Sequence, residues 1–220
     1  MNRLLVFDLD GTLIDSVGGI AASVNRTRRD FGFAPLSLET ITSFTGDGAK
    51  KLIERSFADV GLPVPADEAV AVMVRHYAAD PVCDTELYPG VYEGMTALRE
   101  SGWILTVVSN KPQVVGERII RHFDLAPLVA ENIGGGGGFP LKPAPDALFH
   151  LLKKYAVAPE NARVIGDNHT DMDFAANAGL KGIFCRYGFG VRNGSPAALE
   201  VDSFAECAAA LKRLQMQRSM

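Results

Sequence analysis

Residues 4–16 read Leu4-Leu5-Val6-Phe7-Asp8-Leu9-Asp10-Gly11-Thr12-Leu13-Ile14-Asp15-Ser16. The apolar run 4–7, ended by turn residues, predicts a buried strand of a parallel sheet. Ligands in open α/β sheets bind outside the carboxyl ends of the strands, so two carboxylates arrive where chemistry is expected. Side chains two apart on a strand share a face, and Asp8 and Asp10 can converge on one small site. Two anions that close repel unless a cation or a shared proton relieves them. Both kinds of relief serve phosphoryl transfer.

Outward from this stretch the chain alternates. Residues 92–101 predict a helix stopped by Gly102. Residues 103–108 are a strand rich in β-branched side chains, and 113–123 a helix after Pro112. A weaker strand at 128–133, a helix at 146–155, a short strand at 163–166, a helix at 171–178 and a last core strand at 181–185 follow. Alternation of this kind implies right-handed crossovers and a doubly wound, Rossmann-like parallel sheet, an α/β fold. Residues 17–85 give no strand signal. They carry helical stripes instead: Ile20, Val24 and Phe31; Ala49, Leu52, Ile53 and Phe57; and the run 67–77. Ser37-Leu38-Glu39-Thr40 predicts a short capped helix. The expected organisation is an α/β core of residues 1–15 and 86–220 with an all-helical cap domain, 16–85, inserted in it.

The 220 residues carry a formal charge of −4 with both signs interspersed, which argues against a nucleic-acid binder. The basic clusters, Arg26 with Arg28 and Arg29, and Lys153-Lys154, fit solvated helix faces. The three cysteines show no Cys-x-x-Cys spacing, which argues for a reducing compartment and against a disulfide framework or a zinc site. The opening residues turn acidic too soon for a signal peptide, and no apolar stretch approaches the ~20 residues that span a bilayer. A cytoplasmic, soluble protein is expected, without membrane partners, as a monomer or homodimer.

Three further strand ends carry chemistry-bearing residues. Ser109-Asn110-Lys111-Pro112 closes the strand at 103–108, where a hydroxyl and free backbone N–H groups can cradle an anion; Lys111 reads as a solvated turn lysine with no assigned role. Lys142 precedes Pro143-Ala144-Pro145 at a helix start, where two prolines stiffen the entry and can pre-aim the ammonium. Gly166-Asp167-Asn168-His169-Thr170-Asp171 follows the strand at 163–166. There Mg²⁺ would find oxygen ligands, while Asp171 also fits an acidic first-turn residue and His169 a surface histidine.

Asp8-x-Asp10-Gly11-Thr12 resembles the first motif of the haloacid dehalogenase superfamily, and the other three strand ends resemble its remaining motifs in order. The resemblance covers nearly the whole chain. It implies that Asp8 attacks phosphorus, Asp10 is the acid/base, Ser109 and Asn110 hold the phosphoryl group, and Lys142 offsets charge. It also implies a Mg²⁺ site made of Asp8, Asp167 and the Asp10 backbone carbonyl, with Asp171 ordering water or Lys142 beside it.

The inserted segment, with Thr45-Gly46-Asp47-Gly48-Ala49, His76-Tyr77 and Thr85-x-x-Tyr88-Pro89-Gly90-Val91, is similar to the cap of phosphoglycolate phosphatases, as is Tyr187-Gly188-Phe189-Gly190. The expected substrate is a small phosphorylated metabolite, with 2-phosphoglycolate the best guess; Arg55 and the Gly46 turn are candidates to meet its carboxylate. Open alternatives are a sugar phosphate, pyrophosphate, or a mutase resembling β-phosphoglucomutase. A phospho-acceptor receiver domain, the non-enzymatic competitor, has neither a helical cap nor the Asp-x-Asp-Gly-Thr motif. The glycine run 134–138 reads as a mobile connector to Lys142, and His76, His122 and His150 as structural.

Overall fold

The structure, a computed structural model, describes residues 2–217. Strand β1 (Arg3–Phe7) is followed by a two-residue strand, β2 (Ile14–Asp15). Helices α1 (Val17–Asp30), α2 (Leu38–Thr42), α3 (Ala49–Ser56) and α4 (Ala66–Ala79) come next. Strand β3 (Glu86–Leu87) then returns antiparallel to β2, with Ile14 opposite Leu87 and Asp15 opposite Glu86. The four helices thus leave and re-enter through one short ribbon. The sequence gives no hint of that ribbon, because two residues are too few to show a period.

The rest alternates as expected: α5 (Val91–Glu100), β4 (Trp103–Pro112), α6 (Gln113–His122), β5 (Glu131–Gly135), α7 (Asp146–Lys154), β6 (Ala162–Gly166), α8 (His169–Asn177), β7 (Lys181–Cys185), β8 (Leu199–Val201) and α9 (Phe204–Gln217). The other six strands form one parallel sheet in the order β5-β4-β1-β6-β7-β8. Both faces are covered, which is why β1 reads as unbroken apolar sequence. Leu5 and Phe7 pack on one side with Met95, Ile119 and Phe204; Leu4 and Val6 pack on the other with Leu148 and Phe174. The first of these clusters continues into the helical segment through Ile20, Ile53 and Met73.

Several elements depart from expectation. Strand β4 runs on to Pro112, and Gly135 pairs with that residue. The first two glycines of the run 134–138 are therefore sheet, not connector, and a Cβ on Gly134 would meet the Gln113 backbone at 2.7 Å. Strand β8 and helix α9 extend the core beyond residue 185. Arg28 is not solvated: its side chain is 2% exposed. It donates to the carbonyls of Ala34 and Ser56 and, in a fork, to Asp59 at 2.9 and 2.9 Å.

Candidate active site

The chain crosses from β1 to β4 and β5 on one side of the sheet, then to β6, β7 and β8 on the other. The reversal falls at β1, and a crevice opens at such a switch point. Register places its contents. Phe7 lies opposite Val107 of β4 and Ile165 of β6, so Asp8, Ser109 and Asp167 emerge side by side. Asp8 donates its backbone N–H to Ile165 O at 2.8 Å.

Lys142 reaches this point from the loop before α7. Its Nζ lies 2.7 Å from Asp8 Oδ1 and 2.7 Å from Asp171 Oδ1. Asp171 is the third residue of α8, and its Oδ2 accepts from the backbone N–H of the N-cap, Asn168, at 3.0 Å. It is thus both a capping residue and a partner of Lys142. Burial works to lower the Lys142 pKa, but Asp171 and Asp8 outweigh it and hold the ammonium above the usual lysine range.

Asp8, Asp167 and Asp171 each bring a carboxylate oxygen to within 4.8 Å of the others. Burial, with the Asp171 and Asp10 charges adding to it and Lys142 opposing it, pushes Asp8 up to about 7. Burial and the charges of Asp8 and Asp171 push Asp167 well above the carboxylate range. One ammonium leaves this buried acidic cluster undercompensated, and the donors are all oxygen, a set that suits Mg²⁺. Room is kept around Asp167: a Cβ on Gly11 or Gly188 would overlap its carboxylate, and Gly190 N–H donates to its Oδ2 at 2.7 Å. The residues therefore fit a divalent cation.

The Asp10 side chain is not part of that cluster. Its Oδ1 accepts from Ser16 Oγ and, at 2.7 Å, from Lys111 Nζ. Lys111 corrects the sequence reading. Its side chain is 2% exposed, and Nζ also donates to the hydroxyl of Tyr77 on α4. Burial acts to lower its pKa, yet Asp10 and Tyr77 raise it. Local alternation could not have placed Lys111, because the β4 ladder shifts register between Val108 and Pro112.

Asn110 is also placed differently from the resemblance. Its amide nitrogen donates to Gly46 O and Lys142 O, both at 3.0 Å, and its Oδ1 accepts from Lys142 N at 2.8 Å. With the whole amide engaged, it bolts the Gly46 turn to the Lys142 loop rather than offering its side chain to a phosphate. Ser109 is buried at the strand end, and Lys111 N–H donates to its Oγ at 3.2 Å. Arg55 does not line the cleft. Its guanidinium binds Asp47 at 2.6 Å and Phe44 O at 3.1 Å, so it braces the Gly46 turn from outside. His169 also lies off the cleft, with Nε2 3.9 Å from Asp47.

The cleft is lined from the core by Asp8, Asp10, Ser109, Asn110, Lys111, Lys142 and Asp167. The helical segment supplies Ile20, Thr45, Gly46, Gly48, Ala49, Leu52, Met73 and Tyr77. It is a mostly apolar chamber with its charged groups gathered at one end.

The sequence from residue 5 to 185 matches the family model of haloacid dehalogenase-like hydrolases. A phosphoglycolate phosphatase of Rhodospirillum rubrum is 33% identical over 197 residues, covering 86% of this chain and 81% of that protein. One of Colwellia psychrerythraea is 32% identical over 193 residues, covering 85% of each. Among solved structures, a predicted phosphoglycolate phosphatase from Haemophilus somnus 129pt superposes with a TM-score of 0.88 at 28% identity, covering 96% of this chain and 98% of that one. With a matching family model over most of its length and phosphatases as its relatives, this chain belongs to the haloacid dehalogenase-like hydrolase family, as one of its phosphatases.

Proposed function

We propose that the protein is a Mg²⁺-dependent phosphomonoesterase working through an aspartyl phosphate. The observation that carries this reading is the Lys142 ammonium held between Asp8 and Asp171 at the switch point of the sheet. In the first step an Asp8 carboxylate oxygen bonds to phosphorus while the bond from phosphorus to the leaving oxygen breaks, and that oxygen takes the Asp10 proton. In the second, water attacks the aspartyl phosphate and gives its proton to Asp10, freeing phosphate and restoring the Asp8 carboxylate.

Asp8, Asp167 and the Asp10 backbone carbonyl would hold Mg²⁺, with Asp171 steadying Lys142 beside them. When bound, the ion offsets negative charge on the phosphoryl oxygens. Ser109 Oγ and the backbone N–H groups at the carboxyl end of β4 orient the phosphoryl group.

We further propose that residues 16–85 act as a cap that excludes water from the cleft, over a core of 1–15 and 86–220. The favoured substrate is 2-phosphoglycolate, supported by the names of the relatives and by a chamber of small size with one charged end. The place of action is the cytoplasm; no helix among the described residues is long and apolar enough to cross a membrane.

Phosphate release over a panel of esters, with and without Mg²⁺, tests the reading. Asp8→Asn is expected to abolish turnover and acid-stable phosphate labelling while melting like the parent; substantial activity in a pure preparation refutes the nucleophile. A preference for 2-phosphoglycolate of tenfold or more in kcat/KM, ~1.4 kcal/mol in transition-state binding, supports the substrate. Better turnover of hexose phosphates or pyrophosphate replaces the substrate and leaves the nucleophile standing.

A further inference from the structure

Lys111 joins two layers of the molecule. Its stem rises from the carboxyl end of β4. Its buried ammonium contacts one carboxylate of the core, Asp10, and one hydroxyl of the helical segment, Tyr77. The ammonium also lies 4.2 Å from the centre of the Tyr77 ring. A buried cation is costly unless it is paired and hydrogen-bonded, and half of this seat is supplied by α4.

Asp10 shows what the seat does. Ser16 Oγ and Lys111 Nζ both donate to Oδ1, and among the described residues no hydrogen bond goes to Oδ2. The two donors fix the plane of the carboxyl group and leave Oδ2 as the oxygen that can carry the proton. The side chains of Lys111 and Tyr77 are distinct from Ser109 Oγ and Lys142, the side chains proposed to meet the phosphoryl group.

We propose that Lys111 is a positioning residue for Asp10, and that Tyr77 completes its seat from the cap, so that Asp10 is aimed at the leaving oxygen only while α4 covers the cleft. The proposal rests on Asp10 as the proton donor of the first step. It deepens that reading by making proton donation conditional on closure.

The test compares two small substrates in the presence of Mg²⁺. Ethyl phosphate must protonate its leaving oxygen; acetyl phosphate releases acetate, which needs no proton. The parameter is kcat/KM, which covers the steps up to departure of the leaving group and excludes hydrolysis of the aspartyl phosphate. Asp10→Asn is expected to lose ~10²-fold or more with ethyl phosphate and far less with acetyl phosphate. Tyr77→Phe, which keeps the ring, and Lys111→Met are expected to follow the same pattern, with losses of roughly tenfold on ethyl phosphate and under about threefold on acetyl phosphate. Thermal melting checks that each variant folds; Tyr77→Phe alone decides the matter if Lys111→Met does not. Equal losses on both esters, or no loss on ethyl phosphate, overturn the positioning role. If Asp10→Asn itself loses equally on both, Asp10 is not the proton donor and the proposal falls with that reading.

Discussion

Lys142 Nζ lies 2.7 Å from Oδ1 of Asp8, with both side chains buried. A buried ammonium in direct contact with the carboxylate proposed to attack would fix that carboxylate and also meet charge as it moves onto phosphorus. Lys142→Met is therefore expected to lower kcat by ~10²-fold or more. It also leaves Asp8 and Asp171 facing each other unrelieved, so unfolding in denaturant should show a loss of about 3 kcal/mol. Parent-like activity with parent-like stability would remove Lys142 from both roles.

Mg²⁺ binding should depend on Asp167. Calorimetric titration of Mg²⁺ into Asp167→Asn is expected to show at least tenfold weaker affinity, ~1.4 kcal/mol. Excess chelator should silence the parent enzyme. Ca²⁺ should inhibit, because it takes 6–8 oxygens at longer distances and so invites a second Asp8 oxygen away from attack. Unchanged Mg²⁺ affinity in the variant would reassign the ligand.

Arg28 is a stability determinant of the helical segment. Its guanidinium is buried, and Arg28→Met strands the carbonyls of Ala34 and Ser56 that it serves. The expected loss is about 3 kcal/mol in urea unfolding. Asp59→Asn should lose much less, since that carboxylate is 51% exposed and water replaces its partner. Equal losses for the two would put the weight on the ion pair and not on the carbonyls.

Glu131, at the head of β5, should give the fold a small pH dependence. Burial raises its pKa, but Lys154 and His150 of α7 outweigh that through hydrogen bonds at 2.7 and 3.0 Å and hold it below the usual value. A carboxylate with a lowered folded pKa adds stability above its unfolded pKa, and that stability is lost as pH falls through the folded value. Glu131→Gln should thus melt below the parent at pH 7, by under about 1 kcal/mol, and the gap should close as the pH falls below the usual carboxylate range. A gap that persists into strong acid would point to packing instead of charge.

The strand-end residues were legible because the chemistry demands specific side chains at the ends of apolar runs, and such runs survive without context. Lys111 was not, because a lysine between Asn110 and Pro112 has the local look of a turn. Its burial depends on Tyr77, 34 positions away, which no local pattern contains. Arg55 erred the other way: a fork-shaped cation near a glycine turn invites an anion, and Asp47 within that turn already supplies one. Strand β8 lies at the sheet edge and is three residues long, too short for a period. Helix α9 did leave a mark that went unread. Ser203-x-x-Glu206 is a capping signature, and Glu206 N–H does bond Ser203 Oγ at 3.1 Å.

The β2–β3 ribbon brings residues 15 and 86 opposite each other, so the covalent connections of everything between them to the core lie in one ribbon. Such an attachment permits wholesale exchange: another helical lid could be grafted there without disturbing the path of β1, β4 or β6. The graft would inherit Asp8, Lys142 and the acidic cluster intact, since all of these come from outside the exchanged segment. It would not inherit a hydroxyl for Lys111, nor Ser16. On the proposed roles, substrate range in this architecture is open to shuffling, but each new lid would have to bring its own latch for Asp10.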